Sequence, residues 1–511
     1  MSAIQSLRDI LFNNPRMAPE RKAILFQGRW QSFAQLQARV SALGAALKRS
    51  GIERGDRVAV LLQNRPEFIE CYFAVTGIGA IFVPLNWRLH VVEHATLLND
   101  AQPKLLITER AYEPSLERLR QAVPSLEQSI LVDDGRDAPG SYEAWIDSAR
   151  GLPMPDANGL NSDTDAAILY TSGTTSRPKG VVLTHGNYLA DFADLASIVE
   201  LNENSLNLQI SPLYHAACVH SFFHLAYGAA TALIEKFEPG VALRRIEQER
   251  VSYFFAAPTA LYQMMDHPDF ARRDHSSLKA ISYGAASIFK ARLMEAGQAF
   301  GPILIHAYGM TETTSHASVL LPADHAIALG SIGKGVGRCE VRVVDDGGRD
   351  CRTDEIGEII VRGPNVMKKG YWKRPDATAE AIRDGWLHTG DLARMDAHGF
   401  IYVVDRMKDM IISGGVNIYP REVEEVIATH PAVAEVAAYG VPDEHWGEAL
   451  VAAVTLRDGK SASAQDIIDF CRTRIGGYKV PKYIRIMDAL PKTASGKILK
   501  TQLRTSQQSV W

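Results

Sequence analysis

Short apolar runs separated by turn residues recur along this chain, and they predict strands alternating with helices. Residues 57–62 (Arg-Val-Ala-Val-Leu-Leu) read as a buried strand, 66–76 as a helix and 80–84 as a second strand. Residues 105–108 and 130–132 are further short buried strands. The alternation returns at 252–255 and 278–282. Strands that take turns with helices argue for α/β units on mostly parallel sheets. After about residue 336 the pattern changes. Glu340–Val344, 357–362 and 400–404 follow one another with only turns between, which predicts a small antiparallel, barrel-like section. From 421 onward a compact α+β pattern appears: helix 421–430, strands 433–440 and 450–456, helix 464–475. The fold expected is therefore α/β, with a large N-terminal unit (residues 1–405) and a small, mobile C-terminal one (406–511), about the size of an independent domain.

Composition adds exclusions. The 511 residues are 46% hydrophobic and 22% charged, as in ordinary soluble enzymes. A net charge of −4, from 55 basic and 59 acidic side chains, and the absence of a basic tract give no pull toward nucleic acid. Five cysteines with no Cys-x-x-Cys spacing argue against a disulfide framework or a zinc site. The most apolar run, 71–85, is broken by two glycines and falls short of the ~18 residues a membrane span needs. No integral membrane segment is expected. With no secretory leader and no peroxisomal address read at the termini, cytoplasmic residence is the expectation.

The densest chemistry lies at 170–180, Tyr-Thr-Ser-Gly-Thr-Thr-Ser-Arg-Pro-Lys-Gly. Hydroxyls, glycine backbone N–H groups and a lysine together suit a polyphosphate. Apolar runs at 166–170 and 180–183 flank the loop, so it joins two strands. A Walker A loop instead opens a helix with Gly-Lys-Ser/Thr, and here the lysine precedes the glycine. Downstream, Tyr308-Gly-Met-Thr-Glu-Thr follows an apolar run at 303–305; an aromatic at a strand end can stack on a purine, and a carboxylate can hold Mg²⁺. Taken alone, the 308–313 motif is better explained by a glycine turn with a solvated glutamate, whereas for 170–180 a plain polar surface loop is the less favoured reading.

Together they resemble the adenylate-forming superfamily of acyl-CoA synthetases, peptide-synthetase adenylation domains and firefly luciferase. Gly385-Trp-Leu-His-Thr-Gly-Asp391, Tyr402-Val-Val-Asp-Arg-Met-Lys-Asp409, Ile411-Ile-Ser-Gly-Gly-Val-Asn-Ile-Tyr-Pro420 and Pro491-Lys-Thr-Ala-Ser-Gly-Lys-Ile-Leu-Lys500 complete the motif series in order, over roughly residues 20–500. The resemblance implies ATP, Mg²⁺ and coenzyme A as co-substrates and cofactor. It implies that Thr171, Ser172, Gly173, Thr174, Thr175 and Lys179 hold phosphates, and that Gly284, Ala285, Ala286, Tyr308 and Gly309 surround the adenylate. Thr311 lies toward the α-phosphate, Glu312 ligates the metal, Asp391 takes the ribose hydroxyls and Arg406 lies near ribose and phosphate. Lys497 is the mobile catalytic lysine, Lys408 the hinge, and Ser413, Gly414 and Gly415 border the pantetheine tunnel.

The acyl pocket is implied at 211–228, with Tyr214, His215, Ala216 and Ala217, His215 acting as gate. His220 and His224 read as ordinary structural histidines. Small side chains and the lack of a charged partner for a substrate amine favour a fatty or aryl carboxylic acid over an amino acid. The activity implied is an AMP-forming carboxylate–CoA ligase. Alternatives are an acyl-AMP ligase that loads a carrier protein, a luciferase-like oxygenase, a non-catalytic module with an ATP pocket, and, disfavoured by the loop order, a P-loop kinase. Oligomeric state is not legible, and a homodimer is compatible with the chain.

Overall fold

The computed structural model describes residues 4–132, 141–171, 178–286, 288–413, 416–443, 446–492 and 498–505. The expected strand–helix alternation builds two sheets. In the first, six strands run in the order Gln128–Val132, Leu105–Glu109, Arg57–Leu61, Ile81–Pro84, Asp165–Thr171, Lys179–Thr184. All neighbours are parallel except the last two, which form an antiparallel pair around the 170–180 loop. The second sheet has nine strands. Its parallel centre includes Leu206–Gln209, Tyr253–Ala256, Ala280–Gly284 and Leu304–Tyr308. Antiparallel strands complete both of its edges.

Helices Pro66–Gly77, His185–Leu195 and Cys218–Ala226 pack through their aromatic side chains. Tyr72 stacks on Phe222 at 3.7 Å and meets Tyr188 edge-on at 5.6 Å. All nine residues of Cys218–Ala226 are buried, as a helix in the interior of a large core must be. The apolar run 71–85 is accounted for in the same way, as a buried helix end and strand. Among the described residues no helix is long and apolar enough to cross a membrane.

The change of pattern after residue 336 is a five-stranded antiparallel sheet, Glu340–Val344, Ile356–Arg362, Trp386–Met395, Ile382–Arg383 and Ile401–Arg406. The C-terminal part has its own sheet and core. The long hairpin Val433–Asp443 with Gly447–Leu456 carries the strand Tyr483–Ile486 in parallel, and helices Pro420–Ala428 and Ala464–Arg472 cover it. Within the motif at 411–420, which reads in sequence for its glycines and not for strands, Ile411–Ser413 and Val416–Ile418 are strands that pair antiparallel.

Candidate active site

Ligands of α/β sheets gather at the carboxyl ends of parallel strands, and Thr171, Gly284 and Tyr308 stand at such ends. Thr171 ends one strand and faces Lys179 across the pair. Gly284 ends a second strand and Tyr308 a third. Gly284 is tied to its position by space: a Cβ there would lie 2.0 Å from the Ala307 carbonyl oxygen. Gly309 is equally confined, 1.9 Å from the Ser315 oxygen by the same measure. Two non-glycine residues beside these strand ends sit at positive φ, Ala285 (66°) and Thr314 (63°). For a β-branched threonine this is costly backbone. Its hydroxyl, donating to the Asn365 carbonyl at 2.6 Å, holds it.

Long-range contacts join the motifs. The Tyr308 hydroxyl donates to Asp391 Oδ2 at 2.7 Å, and Arg406 Nε lies 3.2 Å from Oδ1 of the same carboxylate. Asp391 and Arg406 are register partners on adjacent strands. Burial, with the neighbouring Asp391 carboxylate, pushes the Tyr308 phenol well above its ordinary range, so it stays a donor. Each Asp391 oxygen keeps further acceptor capacity.

Glu312 lies in the turn Thr311–Thr313. Its Oε1 accepts a 2.8 Å hydrogen bond from the Tyr371 hydroxyl, and Lys179 Nζ sits 5.2 Å from the centre of that same tyrosine ring. Tyr371 thus links Lys179 to Glu312. No sequence signal marked it, because the partners are 59 residues apart and Tyr371 belongs to none of the motifs. Burial and the Glu312 charge raise its phenol too, so it remains protonated and donating.

Among the described residues no group of three or more His, Cys, Asp or Glu could cage a metal ion. A single carboxylate fits Mg²⁺, which keeps waters and draws its remaining ligands from phosphates. Tyr371→Phe is expected to lower kcat/KM for MgATP roughly tenfold, the worth of one charge-assisted hydrogen bond. Titration of Mg²⁺ at fixed ATP checks it; an unchanged Mg²⁺ dependence contradicts it.

The residues expected on the acyl side, Tyr214, His215, Ala216 and Ala217, precede the helix Cys218–Ala226. His215 is half-buried with its ring 4.4 Å from that of Tyr214. Tyr214 is buried, and Ala216 and Ala217 are partly exposed. On the C-terminal side, Lys408 lies in the turn Met407–Asp409, directly after the strand Ile401–Arg406. Burial and the nearby Arg406 lower its pKa. Ser413 ends its strand and pairs with Val416 and Gly447. The hairpin face is open to solvent, with Ile412, Val416 and Trp446 exposed and Lys482 5.0 Å from the Trp446 ring. Ser172, Gly173, Thr174, Thr175, Gly414, Gly415 and Lys497 lie outside the described residues. Just beyond Lys497, Lys500 pairs with Glu424 at 2.8 Å and Arg504 with Asp409 at 3.4 Å. The first pair ties the C-terminal helix Lys500–Thr505 to the helix Pro420–Ala428, and the second ties it to the turn that holds Lys408.

The family model described as AMP-binding enzyme matches residues 11–372, and the one described as AMP-binding enzyme C-terminal domain matches 422–497. The chain is 40% identical over 494 residues to a feruloyl-CoA synthase of an Amycolatopsis species, covering 96% of each chain. It is 37% identical over 490 residues to an indoleacetate–CoA ligase of Aromatoleum aromaticum, covering 96% of this chain and 95% of that one. An o-succinylbenzoate CoA synthetase from Bacillus subtilis, solved with its acyl-adenylate intermediate, superposes with a TM-score of 0.87 at 33% identity over 97% of this chain and 98% of that one. The chain belongs to the AMP-binding enzyme family and is an adenylate-forming, AMP-forming acid–thiol ligase.

Proposed function

We propose that this ligase activates an aryl carboxylic acid, first as an acyl-AMP with release of pyrophosphate, then as an acyl-CoA with release of AMP. The observation that carries the assignment of roles is a pair of polar clusters, Lys179 with Tyr371 and Glu312, and Tyr308 with Asp391 and Arg406, borne on one strand, Leu304–Tyr308, and the turn Thr311–Thr313 that follows it. A cation and a carboxylate on one side and a buried carboxylate with an arginine on the other suit the phosphates and the ribose of a nucleotide. The two relatives named for ferulate and indoleacetate favour an aryl acid over a fatty one.

A carboxylate attacking the α-phosphate brings two anions together, so the site must offset their repulsion. In this reading Lys497 bridges the acid's carboxylate and the α-phosphate, with Thr311 beside them. Thr171, Ser172, Gly173, Thr174, Thr175 and Lys179 hold the departing pyrophosphate. Asp391 accepts both ribose hydroxyls, and Arg406 flanks them. Gly284, Ala285, Ala286, Tyr308 and Gly309 enclose the adenine. Glu312 would hold Mg²⁺, which supplies charge neutralisation to the phosphates. These residues position and stabilise developing charge, and no covalent enzyme intermediate is needed. His215 gates the acyl pocket that Tyr214, Ala216 and Ala217 line.

The thiol must then reach the carbonyl that Lys497 occupied. We place the boundary between the two units in 405–409, with Lys408 as hinge. Rotation about it withdraws Lys497 and brings Ser413, Gly414 and Gly415 to the site. The solvent-open hairpin face, with Ile412, Val416 and Trp446, is consistent with a surface used only after rotation. Gly415→Leu is accordingly expected to slow thioester formation by about tenfold or more while sparing adenylation, because a side chain narrows the tunnel. Single-turnover assays of each half-reaction check it, and an equal loss in both contradicts the tunnel assignment. The adenylation half is tested by acid-dependent exchange of labelled pyrophosphate into ATP without CoA.

A further inference from the structure

Asp391, read above as the ribose acceptor, does not leave its strand from a regular ladder. Where Ile356–Arg362 pairs with Trp386–Met395, Glu358 faces Leu392 and Ile360 faces His388. Ile359 alone therefore stands opposite Thr389, Gly390 and Asp391. The strand bulges at the very residues that carry its functional carboxylate, and bulges beside active sites re-aim side chains in this way. Gly390, in the middle of the bulge, has a φ of 71°, a conformation that a residue with a Cβ adopts only at a cost.

A bulge gives up ladder hydrogen bonds, so its backbone groups need other partners. Two side chains supply them. Glu358 Oε1 accepts from the Gly390 N–H at 3.0 Å, and Glu358 Oε2 lies 2.6 Å from His388 Nδ1. One carboxylate thus grips the residues on either side of Thr389. The Thr389 hydroxyl donates to the Ile359 carbonyl at 2.8 Å and accepts from the Asp391 N–H at 3.1 Å. It bridges the two strands and fixes the backbone of Asp391 itself. The His388 and Glu358 side chains are only 16% and 12% exposed, so water competes little for these bonds. Arg383 approaches the same carboxylate at 3.5 Å from an exposed position and adds little. Past the bulge, Asp391 meets Tyr308 and Arg406. Glu358 and Thr389 have no part in the two half-reactions themselves.

We propose that Glu358 and Thr389 are positioning residues for nucleotide recognition, which hold the bulge in the shape that aims the Asp391 carboxylate at the ribose hydroxyls. The inference rests on the ribose reading of Asp391 and extends it to the residues that set its aim. A carboxylate that must meet two neighbouring hydroxyls at once tolerates little displacement, so loosening the bulge costs ribose recognition specifically.

The test is the ratio of kcat/KM for ATP to that for 2′,3′-dideoxy-ATP, measured by pyrophosphate exchange with one acid. The wild-type ratio is expected to be large and that of Asp391→Ala near one. Glu358→Met has a similar length and no carboxylate, and is expected to lower the ratio about tenfold. Thr389→Val keeps the shape without the hydroxyl and should lower it severalfold. Glu358→Gln retains an acceptor for the Gly390 N–H and a partner for His388, whose ring nitrogen can donate or accept, and should stay within about threefold of wild type. A merely structural loss lowers both rate constants and leaves their ratio alone, as does a partly folded preparation. If Glu358→Met does not fold, Thr389→Val carries the test. A ratio unchanged in either variant, with Asp391→Ala near one, overturns the proposal and leaves the ribose reading standing. A ratio lost as fully in Glu358→Gln as in Glu358→Met assigns the effect to charge rather than to the hydrogen bonds and also overturns it. A wild-type ratio near one overturns the ribose reading of Asp391 and this inference with it.

Discussion

Lys497→Ala is expected to reduce acyl-AMP formation by at least about 10²–10³-fold, while thioester formation from synthetic acyl-adenylate and CoA stays within a few-fold of wild type. Removing one preorganised group that stabilises transition-state charge costs this much in other enzymes. The asymmetry follows from the chemistry of the two steps. The first brings a carboxylate against a phosphate and needs a cation between them. The second brings a thiol to an already activated carbonyl and needs that cation out of the way. Lys500 and Arg504 anchor the following helix to Glu424 and Asp409, so the substitution leaves the support of the segment in place. Equal loss in both half-reactions would contradict the two-arrangement account.

Asp391→Ala is the second large effect. The carboxylate is buried and accepts from Tyr308, with Arg406 alongside. In the proposed role it also accepts two ribose hydroxyls. Two charge-assisted hydrogen bonds at about 1.5–3 kcal/mol each give an expected loss of roughly 10²–10⁴ in kcat/KM for ATP. Structural damage alone could also lower activity, so the decisive readout is discrimination between ATP and 2′,3′-dideoxy-ATP. Wild type should strongly prefer ATP, and the variant should be nearly indifferent. Undiminished preference in an active variant would remove Asp391 from the ribose site.

The parts of this molecule that were legible in its sequence are those whose signal is local. Residues 57–62, 105–108 and Glu340–Val344 are apolar, bounded by turns, and appear as strands at or within two residues of the expected limits. The helix Phe33–Arg49 drew no reading: its buried face includes several alanines and a glycine, so its apolar contrast is weak. The paired strands Ile411–Ser413 and Val416–Ile418 drew no strand reading, because glycines in the sequence between them weaken the pattern. In the site, Tyr308, Asp391 and Arg406 were each marked by a motif, and their convergence follows from strand pairing and one long-range hydrogen bond. Tyr371 and the polar environment of His220 depend on side chains brought together only by packing. His220 and His224, four residues apart on an apolar helix, look alike in sequence, and only the fold shows that one reaches the Tyr253 hydroxyl and the other a backbone carbonyl.

The most direct measurement is the full product balance from ATP, Mg²⁺ and a panel of aryl and alkyl acids, each with and without CoA. The account predicts AMP, pyrophosphate and acyl-CoA in equal amounts with an aryl acid and CoA, and no more than a slow pyrophosphate release when CoA is omitted. ADP with inorganic phosphate, or pyrophosphate release that never yields a thioester with any acid, would contradict it.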